Sequence, residues 1–351
     1  MKIFCMLSAL TLVGTCATPK YTAKIQNIKD SIQLVDESLV TKYANTITAE
    51  ELKIELYQFA STSFAGRRVG EPGQKKAANF LKFYYQKKGI KSPLGDTINY
   101  FQNIPKDFFF RDIKPTENVM AFIKGIEFPD EVIIISAHLD HLGVNDKGET
   151  YFGADDNASG TVALMEMAQA FEKAKKDGHG PKRSILFLHL TAEEIGKKGS
   201  EYYTLHPVFP LENTVTNLNI DMIGRIDDIH KNNPNYLYLI GADRISKELH
   251  YISEKINNTY FNIDLDYRYN DERDRNQYYT RSDHYNFAAK GIPVIFYFNG
   301  EHSDYHQPTD TPDKIEFTLL EKRTRFIFAT AWQIANQKHR LLTDVNNQLL
   351  N

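Results

Sequence analysis

Four short runs rich in apolar residues, at residues 132–137, 184–190, 214–220 and 292–298, constrain this chain more than any other feature of its sequence. A strand that packs on one face alternates apolar with polar residues, so an unbroken run calls for burial on both faces. Between the first two runs, residues 161–175 set Val162, Met165, Ala168 and Phe171 at helical spacing. Strands alternating with helices predict an α/β protein, a three-layer sandwich with a mainly parallel central sheet flanked by helices. Thr48 with Glu51 three residues on forms a capping box, followed by Leu52, Leu56 and Phe59 at helical spacing. A second helix is predicted from near Pro72, with Ala77, Phe80, Leu81 and Tyr84 on its apolar face and Gly89 as its stop. A last helix spans roughly Leu319 to His339. Residues 226–280, rich in Asn, Asp, Tyr and Arg, are expected to decorate the rim of the sheet.

With 351 residues, 42% hydrophobic, the chain can bury a large core. Its formal net charge of −3 gives no electrostatic reason to expect nucleic acid as a partner. Residues 1–19 combine Lys2, an apolar run from Ile3 to Val13 and small residues after it, the layout of a signal peptide or lipoprotein leader. The expected organisation is therefore leader 1–19, N-terminal extension 20–47 and a single domain over 48–351. Both cysteines, Cys5 and Cys16, fall in the leader, so any metal in the folded part must be held by His, Asp and Glu. The stretch Leu12-Val13-Gly14-Thr15-Cys16 loosely resembles a lipoprotein cleavage box, with Thr15 departing from the usual small residue. Either Cys16 carries a lipid or cleavage falls a little further on. The chain is expected to be exported (periplasmic, lipid-anchored in the outer envelope, or secreted), with Cys16 its one attachment to a membrane.

Acidic residues and histidines follow the ends of the four runs, the edge where open α/β sheets bind ligands. After the first comes His138-Leu139-Asp140-His141, after the second Glu193-Glu194, after the third Asp221, and after the fourth His306. Gly153-Ala154-Asp155-Asp156-Asn157-Ala158-Ser159-Gly160 lies between the first two. Each piece has an ordinary reading: a surface hydrogen bond, a turn, a solvated helix face, a helix cap. Five such accidents at one sheet edge are improbable. Imidazole and carboxylate are the ligands zinc accepts where no thiolate is available, and two ions sharing a bridging carboxylate can activate water and polarise a carbonyl.

The chain resembles metallopeptidase family twenty-eight, the co-catalytic di-zinc aminopeptidases, whose relatives include glutamate carboxypeptidase and glutaminyl cyclase. The segments SAHLDHLG, GADDNASG, TAEEIGKKGS, NIDMIGR, SDHYNF and YHQPTDTPDKI occur in the family's order, and the likeness runs from Ala65-Gly66-Arg67-Arg68 to the last helix. The resemblance implies a peptide substrate, two zinc ions and hydrolysis by metal-activated water. It implies His138 and Asp221 as ligands of one ion, Glu194 and His306 of the other, and Asp156 as the bridge, with Asp155 the alternative bridge. It further implies Asp140 as the carboxylate orienting His138, Glu193 as general base, Tyr305 as oxyanion donor and Arg281 as a substrate contact. Release of N-terminal residues is favoured by family habit. Two alternatives share the scaffold: a mono-zinc glutaminyl cyclase and a metal-free binding protein. The cyclase's tryptophan-lined pocket is hard to build, because the only tryptophan, Trp332, falls in the C-terminal helix.

Overall fold

In the computed structural model, residues 17–95, 99–109 and 112–350 are described, the side chains of 17–20 excepted. Cys5, Cys16 and most of the expected leader lie outside the described residues. One sheet contains eight strands: β1 (Phe101–Ile104), β2 (Thr116–Ile123), β3 (Phe128–His138), β4 (Arg183–Leu190), β5 (Thr214–Ile220), β6 (Tyr236–Ile240), β7 (Asp264–Asp266) and β8 (Val294–Phe298). They lie in the order β1-β2-β4-β3-β5-β8-β6-β7. The four runs are the four central strands, β4, β3, β5 and β8, all parallel to one another. On either side β2 and β6 join antiparallel.

Both faces of the centre are covered, as strands buried along their whole length require. From β3, Ile133, Ile135 and Ala137 point into a core shared with Val162 and Phe171 of the helix Gly160–Lys176 and with Phe328 and Trp332 of the helix Phe317–Asn336. The alternate residues Val132 and Ile134 pack with Leu186, Leu188, Tyr203 and Phe287 on the other face. The predicted helix ends are built as expected: the Thr48 side chain accepts the Glu51 backbone N–H, and Gly89 closes the helix Pro72–Lys88 in a left-handed conformation (φ 80°). Among the described residues no helix is long and apolar enough to cross a membrane.

Two boundaries differ from expectation. Residues 226–280 do more than decorate a rim, since Tyr236–Ile240 and Asp264–Asp266 are strands of the sheet and Lys247–Ile256 is a helix packed on it. The extension before residue 48 belongs to the same core. Val40, Tyr43 and Ile47 are buried there, and Tyr43 stacks on Trp332 with ring centroids 5.5 Å apart. Its helices, Ala17–Ser31 and Glu37–Ala44, carry few apolar residues among polar ones.

The chain leaves β3 toward β4 but leaves β5 toward the β8 and β6 side. The crevice between β3 and β5 is thus a topological switch point, where ligands of such sheets bind.

Candidate metal centre

His138 is the last residue of β3 and Asp221 the first after β5, so the switch point sets them side by side. His138 Nε2 lies 3.1 Å from Asp221 Oδ1 and 3.2 Å from Asp156 Oδ1. Asp156 comes from the irregular segment Ala154–Ser159, where its own φ and ψ are −103° and 92° and its peptide bond to Asn157 is cis. Its second oxygen, Oδ2, lies 3.0 Å from His306 Nε2, which is also 3.1 Å from Glu194 Oε2. Two clusters, His138/Asp221 and His306/Glu194, therefore meet at the two oxygens of one carboxylate. The side chains of His138, Asp156, Asp221 and Glu194 are largely buried, and that of His306 is partly exposed.

Asp155 turns the other way. Its carboxylate accepts the Gly224 backbone N–H at 2.7 Å and the Asn299 amide at 3.0 Å, and lies 3.1 Å from His302 Nε2. The Asp140 carboxylate does not meet His138 as expected. His138 Nδ1 lies 3.2 Å from the Asp140 backbone oxygen but 3.9 Å from the carboxylate, which instead accepts the Glu193 backbone N–H at 3.1 Å. The loop after β4 turns at once on Ala192 (φ 59°), which sends the neighbouring Glu193 and Glu194 to different surroundings.

Glu193 lines the same pocket as Asp156 and Asp221, together with Met222, Tyr278, Phe296 and Phe298 as apolar walls. The Tyr305 ring stacks on His306 with centroids 3.9 Å apart. Its hydroxyl stands 3.5 Å from Arg281, whose guanidinium pairs with Glu301 at 2.9 Å. Arg281 thus borders the pocket with its charge already matched.

Several buried groups brace the site without having been assigned a role in the sequence. Arg67 donates to the carbonyls of Leu139, Phe152 and Gly153, tying the loop after β3 to the Asp155-Asp156 segment. The Asp310 carboxylate accepts the backbone N–H groups of Asp155 and Asp156, at 3.0 and 3.2 Å, and Ser282 donates to Asp221 Oδ2 at 2.6 Å. The segments that carry them, GRR, YHQPTDTPDKI and SDHYNF, stand out in the sequence. Their bracing roles do not, because any Arg, Asp or Ser beside a turn reads as solvated.

The electrostatics mark a site short of positive charge. Burial, and the like charge of Glu194 against the attraction of His138, push Asp140 up to about 7, and burial lifts Asp283 to about 6. Burial likewise holds Glu193 well above the ordinary carboxylate range, with Asp283, Asp221 and Glu194 adding repulsion against the pull of His138. Burial alone would lower His306, but its hydrogen bonds to Asp156 and Glu194 push it up to about 10.

A metal pair fits this donor set. One Nε2 hydrogen cannot serve two carboxylates, yet both His138 and His306 face two at nearly equal distance. Ligand atoms about 2.0–2.1 Å from a tetrahedral zinc lie about 3.3 Å from each other, close to the 3.0–3.2 Å found in both clusters. Nitrogen and carboxylate oxygen without thiolate is a donor chemistry that zinc accepts.

The fold and this site are those of a zinc-peptidase-like α/β protein. The family model of Peptidase family M28 matches residues 118–331, and the chain belongs to that family. It is 27% identical over 282 residues to a probable aminopeptidase of Saccharomyces cerevisiae, covering 75% of this chain and 72% of that protein. A probable glutamate carboxypeptidase of Arabidopsis thaliana is 41% identical over 88 residues, which is 25% of this chain and only 12% of that protein's length. Among solved structures, the LapA aminopeptidase of Legionella pneumophila superposes with a TM-score of 0.67 at 20% identity, covering 88% of this chain and 77% of that one. That likeness is one of fold.

Proposed function

We propose that this chain is a metallo-exopeptidase, an aminopeptidase that holds two zinc ions and releases N-terminal residues from peptides. The observation that carries the reading is the Asp156 carboxylate, whose Oδ1 faces His138 and whose Oδ2 faces His306. His138 and Asp221 would hold one ion, His306 and Glu194 the other, and Asp156 both. Bound there, the pair would polarise the scissile carbonyl and lower the pKa of water.

The chain's own groups supply the rest. Glu193, which lines the pocket with Asp156 and Asp221, takes the proton of the attacking water and returns it to the leaving amine. Tyr305 can donate its hydroxyl to the carbonyl oxygen as charge develops there, with Arg281 beside it. The apolar walls Met222, Phe296 and Phe298 suit an uncharged first side chain. The relatives named as aminopeptidases favour release from the N-terminus. The leader reading places the chain outside the cytoplasm, with Cys16 as its lipid-anchor candidate. The cyclase alternative finds no support, because Trp332 is buried between Tyr43 and Phe171 in the core.

The test is zinc content by elemental analysis of protein lacking residues 1–19, together with turnover of a panel of aminoacyl, N-acetylated and C-terminally extended substrates. Two ions per chain and cleavage confined to free N-termini are expected. One ion with cyclisation of N-terminal glutamine would overturn the reading in favour of the cyclase, and no ion would overturn it in favour of a binding protein.

A further inference from the structure

His141, three residues beyond His138, has no part in the ion assignment above, yet it is buried to 1% exposure against that site. Its Nδ1 lies 2.6 Å from Glu194 Oε1 and 3.8 Å from Asp156 Oδ2. An ionised carboxylate can only accept, so Nδ1 carries the hydrogen and His141 donates it to Glu194. The other ring nitrogen, Nε2, is buried with no hydrogen-bond partner among the described residues. The ring's one polar attachment is therefore to the side chain that would hold the second ion. Gly153 makes the room: a Cβ at that position would come within 2.5 Å of His141 Cδ2.

A histidine so placed could be a ligand or a brace, and distance separates the two. Co-ligands of a tetrahedral zinc stand about 3.3 Å apart. His138 and His306 keep 3.0–3.2 Å from their carboxylates, whereas 2.6 Å between His141 and Glu194 is a short charge-assisted hydrogen bond. We infer that His141 is a positioning residue for the second ion, fixing Oε1 of Glu194 so that Oε2 alone stays turned toward His306. This rests on the two-ion reading. It also makes the two ions unequal, since His138 and Asp221 have no contact with His141 and their ion does not depend on it.

The experiment is zinc titration of wild type, His141→Ala and His141→Asn in competition with a chromophoric chelator, with melting of the zinc-free proteins as a check on folding. Asn offers an amide N–H close to where Nδ1 stands. Wild type should bind two ions. In His141→Ala one ion should stay as tight as in wild type and the other weaken about 10- to 100-fold, the usual loss when a ligand's hydrogen-bond partner is removed. His141→Asn should recover most of that loss. The inference is overturned if His141→Ala binds both ions as wild type does, if it loses both equally, or if His141→Asn is no better than alanine. A wild type that takes up fewer than two ions would overturn the two-ion reading instead.

Discussion

Glu193 and Glu194 are adjacent in sequence but differ in environment. Burial and the negative charge of Asp156 oppose ionisation of Glu194, yet the hydrogen bonds from His141 and His306 bring it below its ordinary value. Glu193 has no such partners, and burial holds it well above. Neighbouring carboxyls pushed apart in this way take different tasks, one fixed as an anion and one free to carry a proton. Glu193→Gln should therefore lower kcat by roughly 10²- to 10⁴-fold while zinc content stays unchanged. Steady-state kinetics beside elemental analysis would check this, and a variant with wild-type turnover would remove Glu193 from the mechanism. The carboxylates and imidazoles that meet here were legible in sequence because most of them come soon after a strand end, with Asp156 in the glycine-flanked segment between the first two runs. The mode of contact was not. Whether Asp140 offers its carboxylate or its carbonyl to His138 depends on the turn after β3, and His141 acquires meaning only once Gly153 and Glu194 fold against it.

At the level of elements, β3, β4 and β8 were legible because burial on both faces leaves a mostly apolar run, whereas β5 buries Asn217 and Asn219 through hydrogen bonds with Ser136 and Ser282. The outer strands were not legible. Four-residue β1 reads FQNI and three-residue β7 reads DLD, too short and too polar to carry a period, and β6 sits in a stretch dominated by loop residues. Burial on both faces has a second consequence, because it encloses polar residues as well. His189 on β4 and His284 at the start of the short helix His284–Ala288 are both buried, and burial lowers each to about 3. His189 Nε2 meets the Tyr85 hydroxyl at 2.6 Å, which suits the neutral ring. An unfolded histidine takes a proton near pH 6.5, so below that pH the unfolded chain binds more protons and stability falls down to about pH 3. For one histidine the loss between pH 7 and pH 5 is about 2 kcal/mol. Denaturant melts of His189→Gln should show a pH 7 to pH 5 loss smaller than wild type's by about that amount. An unchanged difference would mean that His189 is protonated in the folded protein.

At the scale of the whole molecule, the sheet gathers at one edge more acid than the surrounding basic groups can neutralise. Asp140, Asp156, Asp221 and Asp283 are buried, and Glu193 and Glu194 partly so, around three histidines and the Arg67 guanidinium, itself lowered to about 10 by burial despite the pull of Asp156 and Asp140. Bringing like charges together in a buried site opposes folding unless cations join them. Ions that bind the folded chain and not the unfolded one stabilise it by mass action, about 2.7 kcal/mol each at a hundred times the dissociation constant. Two ions would then contribute about 5 kcal/mol, which for a domain of this size corresponds to a rise in Tm of about 7 °C. Calorimetry of the zinc-loaded protein before and after chelation should show that shift. In Asp156→Asn most of it should vanish, because the carboxylate that faces both clusters would serve both ions. The same substitution at Asp155, which faces Gly224, Asn299 and His302, should leave the zinc-dependent part of the shift largely intact while lowering stability with and without metal. If Asp155→Asn abolished the shift and Asp156→Asn did not, the bridging carboxylate would have been assigned to the wrong member of the pair.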